Sequence, residues 1–142
     1  MVDTINPESR NEQIILMKDK TMKKTVLLYN FDEEELPKVK RALLPLKFFI
    51  RTVKEEEYDL SVGFLAGLSD DGTSKKKAES DFGKLVVMGG FLNSDLDKLL
   101  AAMRKAGFSR DVLKAVITPT NAVWSGPQLY AEICKEHKLM NQ

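Results

Sequence analysis

The sequence predicts an α/β protein: a four-stranded sheet built from two β-α-β units, with helices packed on it. Three observations carry this. "TVLLYNF" (Thr25–Phe31) and "KLVVMGGF" (Lys84–Phe91) are continuously apolar, so both of their faces are expected to be covered. Each is followed by apolar residues at helical spacing. The layout then repeats: "VLLYNF", helix, "FFIRTV" is mirrored by "LVVMGGF", helix, "LKAVIT". Unalternating strands and four helices favour a doubly wound parallel sheet with right-handed crossovers. A ferredoxin-like α+β antiparallel sheet is the alternative.

In chain order, residues 1–21 are mostly polar and read as an N-terminal extension, partly flexible. A single α/β domain over 22–142 is expected to follow. After the first strand, Leu36, Val39 and Leu43 mark a helix, with Pro37 confined to its first turn and Pro45 ending it. Glu33, Glu34 and Glu35 sit at the positive end of its dipole and read as helix electrostatics. "KFFIRTV" (47–53) has charges at both ends, as an edge strand does. A short helix then ends at Gly67, and Gly63 and Gly67 would let another backbone approach closely. Residues 69–83, including Lys75–Lys77, form a polar segment expected to be a mobile loop.

Ser94 is the expected N-cap of the helix carrying Leu96, Leu99, Leu100 and Met103, and Gly107 its C′ residue. Ser125 with Gln128 reads as a capping box for the last helix. Leu129, Ile133 and Cys134 would face the core there, with His137 near that helix's C-terminal end.

Charge and composition exclude whole classes. Twenty-two basic and 21 acidic residues give a net charge of +1, which argues against nucleic acid or an anionic membrane as partner. No apolar run approaches the roughly 20 residues that span a bilayer. The N-terminal residues lack a signal-like apolar stretch. One cysteine, Cys134, allows no internal disulfide and fits a reducing, cytoplasmic setting. There is no P-loop, no G-x-S-x-G elbow and no G-x-G-x-x-G after a strand. A receiver domain would need an aspartate after the third strand, where Met88, Gly89 and Gly90 stand. No catalytic residue, cofactor or metal site is assigned.

The residues with most chemical interest end the strands. In a parallel sheet Asn30, Asp32, Gly89, Gly90, Thr118, Thr120 and Asn121 would share one rim, with Trp124 as a wall. The helix starting near Ser125 would aim N–H groups at that rim. The competing view makes Thr118–Asn121 a rigid turn and Trp124 a core plug.

"VLLYNF", "LSVGFLAGL" and above all "LKAVITPTNAVW" with "LYAEICKEH" resemble a bacterial family known only as a domain of unknown function, number 3783 in its series. The resemblance runs from about Lys24 to Met140. It is carried by Lys114, Thr118, Pro119, Thr120, Asn121 and Trp124, with Gly90 and Phe91. It implies no activity. No base or nucleophile is evident in the residues themselves, so the expectation is binding rather than catalysis: a small molecule or anion at the strand ends (Asn30, Gly89, Gly90, Thr118, Thr120, Asn121, Trp124). The alternative is a protein-interaction or homodimerisation module using the edge strand near 47–53.

Overall fold

The computed structural model describes residues 24–69, 72, 82–108 and 112–140, the last four of these by backbone alone. The expectations for residues 1–21, for most of the 69–83 loop and for the His137 side chain lie outside the described residues. In chain order the elements are β1 (Thr25–Tyr29), α1 (Glu35–Leu43), β2 (Phe49–Thr52), α2 (Val62–Leu65), β3 (Leu85–Gly89), α3 (Asn93–Lys105), β4 (Leu113–Val116) and α4 (Gly126–Met140). Short 3-10 turns cover Leu44–Leu46, Glu55–Glu57 and Asn121–Val123.

The strands form one sheet in the order β2-β1-β3-β4. The α/β class and the two β-α-β units are those the sequence indicates. Within each unit the strands are parallel, β1 with β2 and β3 with β4. The middle pair, β1 with β3, is antiparallel. The wholly parallel order therefore fails at this one pairing, and so does a ferredoxin-like order. An apolar strand without alternation reports two covered faces; that pattern is commonest in parallel sheets, but an antiparallel pair covered by helices on both sides reads the same way.

Both faces are indeed covered. Val26 and Leu28 of β1, with Val86 and Met88 of β3, pack under α1 and α3 against Val39, Leu43, Leu99 and Met103. Leu27, Tyr29, Leu85 and Val87 face the other way, toward Val62 and Leu65 of α2 and Leu129 of α4. The eight central side chains are at most 1% exposed. Cutting Leu27, Leu28, Leu85 or Met88 down to alanine would cost about 2–5 kcal/mol.

The two units are related by a pseudo-two-fold axis through the Leu27·Val87 pair, the centre of the β1·β3 register. The same interactions recur on both sides of it. Lys24 pairs with Asp95 at 3.0 Å, and Lys84 pairs with Glu35. Phe31 meets Phe108 with ring centres 6.1 Å apart, and Phe48 meets Phe91 at 4.5 Å. The Val53 N–H donates to Leu28 O (3.0 Å), and the Ile117 N–H to Met88 O (2.8 Å). Asn30 after β1 and Gly90 after β3 both have positive φ, 66° and 76°. On the axis itself Ser61 and Ser125, both buried, form an isolated antiparallel bridge. Each also caps a helix: Ser61 Oγ accepts from Phe64 N–H and Ser125 Oγ from Gln128 N–H, both at 3.3 Å.

Two local readings change. The residue before α3 is Leu92, and Ser94 lies inside the helix. The first turn is tied instead by Asp95, whose Oδ2 accepts from the Leu92 N–H at 2.9 Å. Ahead of α1, Glu35 Oε1 likewise accepts from the Asp32 N–H at 3.3 Å. Cys134 is exposed rather than in the core. Helical spacing puts Leu129 and Ile133 on the sheet side, and residue 134 falls beyond that stripe. Gly107 is the C′ residue expected of it: φ is 91°, and the Phe108 N–H reaches back to Met103 O at 2.8 Å. Gly63 also behaves as expected, since a Cβ there would sit 2.8 Å from Ala122 O.

Two outcomes follow. Gly90→Val should destabilise by about 1–2 kcal/mol in urea unfolding, and Gly90→Asn by much less, because asparagine already holds the equivalent left-handed position. The Asp95 carboxyl is held below the usual carboxylate range, first by the Leu92 N–H and then by Lys24. Its stabilisation is complete above the unfolded pKa of about 4 and is lost as pH falls through the lower folded value. Asp95→Asn should therefore flatten the acid limb of a stability-against-pH curve.

Candidate functional site

The turn after β4 is built around Asn121. Its Oδ1 accepts from the Thr118 N–H at 2.9 Å, and its Nδ2 donates to Val116 O at 3.1 Å. Its own N–H donates to Thr118 Oγ1 at 3.1 Å. Both ends of the amide are thus engaged in closing the turn, which Pro119 stiffens. This holds the chain so that the 3-10 turn Asn121–Val123 packs on α2, and Trp124 O accepts from the Val62 N–H at 2.8 Å.

The residues expected to share a rim do not all meet. Because β1 runs against β3, Tyr29 pairs with Leu85 and Thr25 with Gly89. Asn30 and Asp32 therefore lie at the opposite end of the sheet from Gly89, Gly90 and the 118–121 turn. Asn30 has its own task there. Its Nδ2 donates to Phe82 O (2.8 Å) and Gly83 O (3.1 Å), and Tyr58 Oη donates to its Oδ1 at 2.8 Å. Gly89 is buried, and a Cβ on it would come within 3.1 Å of Ala66 and Ile117. Its smallness serves packing. Nor does the N-terminus of α4 open on a rim: Ser125 and Gly126 are buried, and a Cβ on Gly126 would collide with the Tyr29 ring. Burial pushes the Tyr29 phenol well above its usual pKa.

Thr118, Thr120, Asn121 and Trp124 do meet: they line one cavity of about 440 Å³ beside the edge strand β4 and along α4, which Gly90 does not border. Its volume lies within the range of small-molecule sites. Ala115 of β4 and Leu129 of α4 form its inner wall. Glu132 and Glu136, one helical turn apart, supply its charge. Glu132 is also within 3.4 Å of Lys135 Nζ at the surface. Lys114 borders the cavity from the strand. Alternation, however, places its side chain on the α3 face with Val112 and Val116, and its Nζ donates to Val112 O at 2.9 Å. Desolvation lowers its pKa below the usual lysine range.

Sequence reasoning found the turn and the indole and missed Ala115, Glu132 and Glu136. The glutamates carried a signal, an i,i+4 acidic pair flanking the apolar Ile133. Ala115 carried none, because its importance is the space it leaves. A second concavity, about 590 Å³, lies between α1 and α3 and is bordered by Lys38, Arg41 and Lys105 over Ala42 and Ala102. None of the nominated residues reaches it.

The chain is thus a three-layer α/β protein of two pseudo-symmetric β-α-β units, with its cleft in the second. That second unit is where a known family appears: residues 84–140 match the family described as Domain of unknown function (DUF3783). "LVVMGGF" and "LKAVITPTNAVW" fall inside the match, and "VLLYNF" and "LSVGFLAGL" fall outside it. No curated protein and no solved structure matches the chain. Among the described residues, no helix is long and apolar enough to cross a membrane.

If Asn121 serves the turn, Asn121→Ala should cost about 2 kcal/mol, from two hydrogen bonds lost at a buried amide. Chemical denaturation of the two proteins measures this directly.

Proposed function

We propose that this protein binds a small polar molecule in the cleft between β4 and α4, within a reducing, cytoplasmic setting. The observation that carries the reading is convergence. Four residues singled out from the sequence, Thr118, Thr120, Asn121 and Trp124, border a single cavity of about 440 Å³. The turn that presents them is held by three hydrogen bonds, so the cleft is formed before any ligand arrives. Glu132 and Glu136 disfavour the anion that an open helix N-terminus would have attracted. Binding rather than catalysis fits a site whose asparagine is already committed to the fold.

A second reading is favoured by one observation. Phe49 is 56% exposed on β2, an edge strand. An apolar side chain on an unpaired edge suits a partner strand or a second copy of the chain.

Trp124 is the only tryptophan, so it reports on the cleft directly. Thermal unfolding should be followed by its fluorescence across a panel of amines, amino acids, nucleotides and phosphorylated metabolites. A ligand at 100 times its Kd should stabilise by about 2.7 kcal/mol, raising Tm by about 10 °C in a domain of this size. Its emission should also shift before unfolding. A ligand that raises Tm without moving Trp124 emission would place the site elsewhere.

A further inference from the structure

The pseudo-two-fold axis gives three residues of the cleft, Ala115, Asn121 and Leu129, a counterpart in the first unit. Leu27 pairs with Arg51 in the first unit as Val87 pairs with Ala115 in the second. Arg51 and Ala115 are therefore equivalent positions on the two edge strands. Lys54 N–H donates to Glu57 Oε1 at 3.1 Å as Thr118 N–H donates to Asn121 Oδ1. Glu57 is thus the counterpart of Asn121. Leu65 N–H donates to Ser61 O as Leu129 N–H donates to Ser125 O (3.1 and 3.0 Å), which pairs Leu65 with Leu129.

In the first unit this space holds a guanidinium. Arg51 Nη2 lies 2.6 Å from Glu57 Oε2, and Nη1 lies 3.5 Å from Leu65 O. In the second unit Ala115 ends at Cβ, and the cavity stands in its place. The carboxylate has moved as well. Asn121 replaces Glu57 at the turn, and the acids that border the opening are Glu132 and Glu136 on α4.

We propose that the cleft of the second unit takes a guanidinium group from outside the chain, in the place that Arg51 fills in the first, with Glu132 and Glu136 as its counter-charges. Carboxylates match the planar donor fork of a guanidinium better than a point-charge amine. The inference rests on the cleft being the binding site and adds the ligand's chemistry.

The test uses the full chain, with L-arginine and its neutral isostere L-citrulline as probes. Binding is read by Trp124 emission and by amide shifts of Ala115, Asn121 and Glu132 in 15N NMR. Arginine should perturb these residues and citrulline should not. Glu132→Gln with Glu136→Gln should weaken arginine binding by about tenfold or more, the equivalent of one lost charge interaction. Ala115→Arg should abolish it by supplying the guanidinium internally, while an unchanged far-UV spectrum and a dispersed NMR spectrum show the fold intact. Nα-acetyl-arginine amide separates the sources. Equal binding points to an arginine side chain in a peptide, and binding of free arginine alone to a small metabolite. Equal perturbation by citrulline would overturn the guanidinium and leave the cleft standing. So would a phosphorylated or neutral ligand whose Trp124 signal Ala115→Arg removes. No response at these residues to arginine or to any panel member would overturn both.

Discussion

The antiparallel pairing of β1 with β3 is the constraint on which the molecule depends. Five residues on each side are matched, from Thr25 with Gly89 to Tyr29 with Leu85, and all ten are buried. That pairing sets the two β-α-β units antiparallel to each other across the pseudo-two-fold axis. It brings Lys24 to Asp95 and Lys84 to Glu35, so each unit's first strand is tied to the other unit's first helix turn. The same geometry meets on the axis at Ser61 and Ser125. The units approach closely there: Gly63 lies against the backbone of Ala122, and Gly126 lies against the Tyr29 ring. In both places a side chain would occupy space that the opposite unit needs.

A symmetric frame makes its own departures informative. Where the units agree, in the caps, the ring contacts and the left-handed residues after β1 and β3, the reason is structural. Where they differ, the frame does not dictate the choice. The edge strands differ most. In the first unit Arg51 and Glu57 close the space beneath α2 with an ion pair. In the second, Ala115 and Asn121 leave it open beneath the much longer α4. The Glu57 carboxyl is held below its usual range, first by the Lys54 N–H and then by Arg51, as befits a closed structural pair. The family match falls on the open unit, residues 84–140.

Local chemistry was legible wherever a residue's role depends on its near neighbours. The apolar runs became the central strands, Gly107 a C′ residue, Ser125 a cap and Pro37 a first-turn proline. Ser94 misled because the backbone of Leu92 found a partner in Asp95, one residue further along. Cys134 misled because two apolar neighbours at helical spacing do not fix the width of the buried stripe.

Taken by itself, the sequence determined the class, the four strands, the two repeated units and the turn at Thr118–Asn121, because periodicity and turn chemistry are local properties of the chain. The tertiary structure alone decided that the units run in opposite directions, which separated Asn30 from Gly90 and dissolved the common rim. It alone set Ala115 opposite Arg51 across the axis and brought Glu132 and Glu136 to the cleft. Strand direction and empty space are settled by contacts between residues far apart in the chain, and neither leaves a mark on the residues in between.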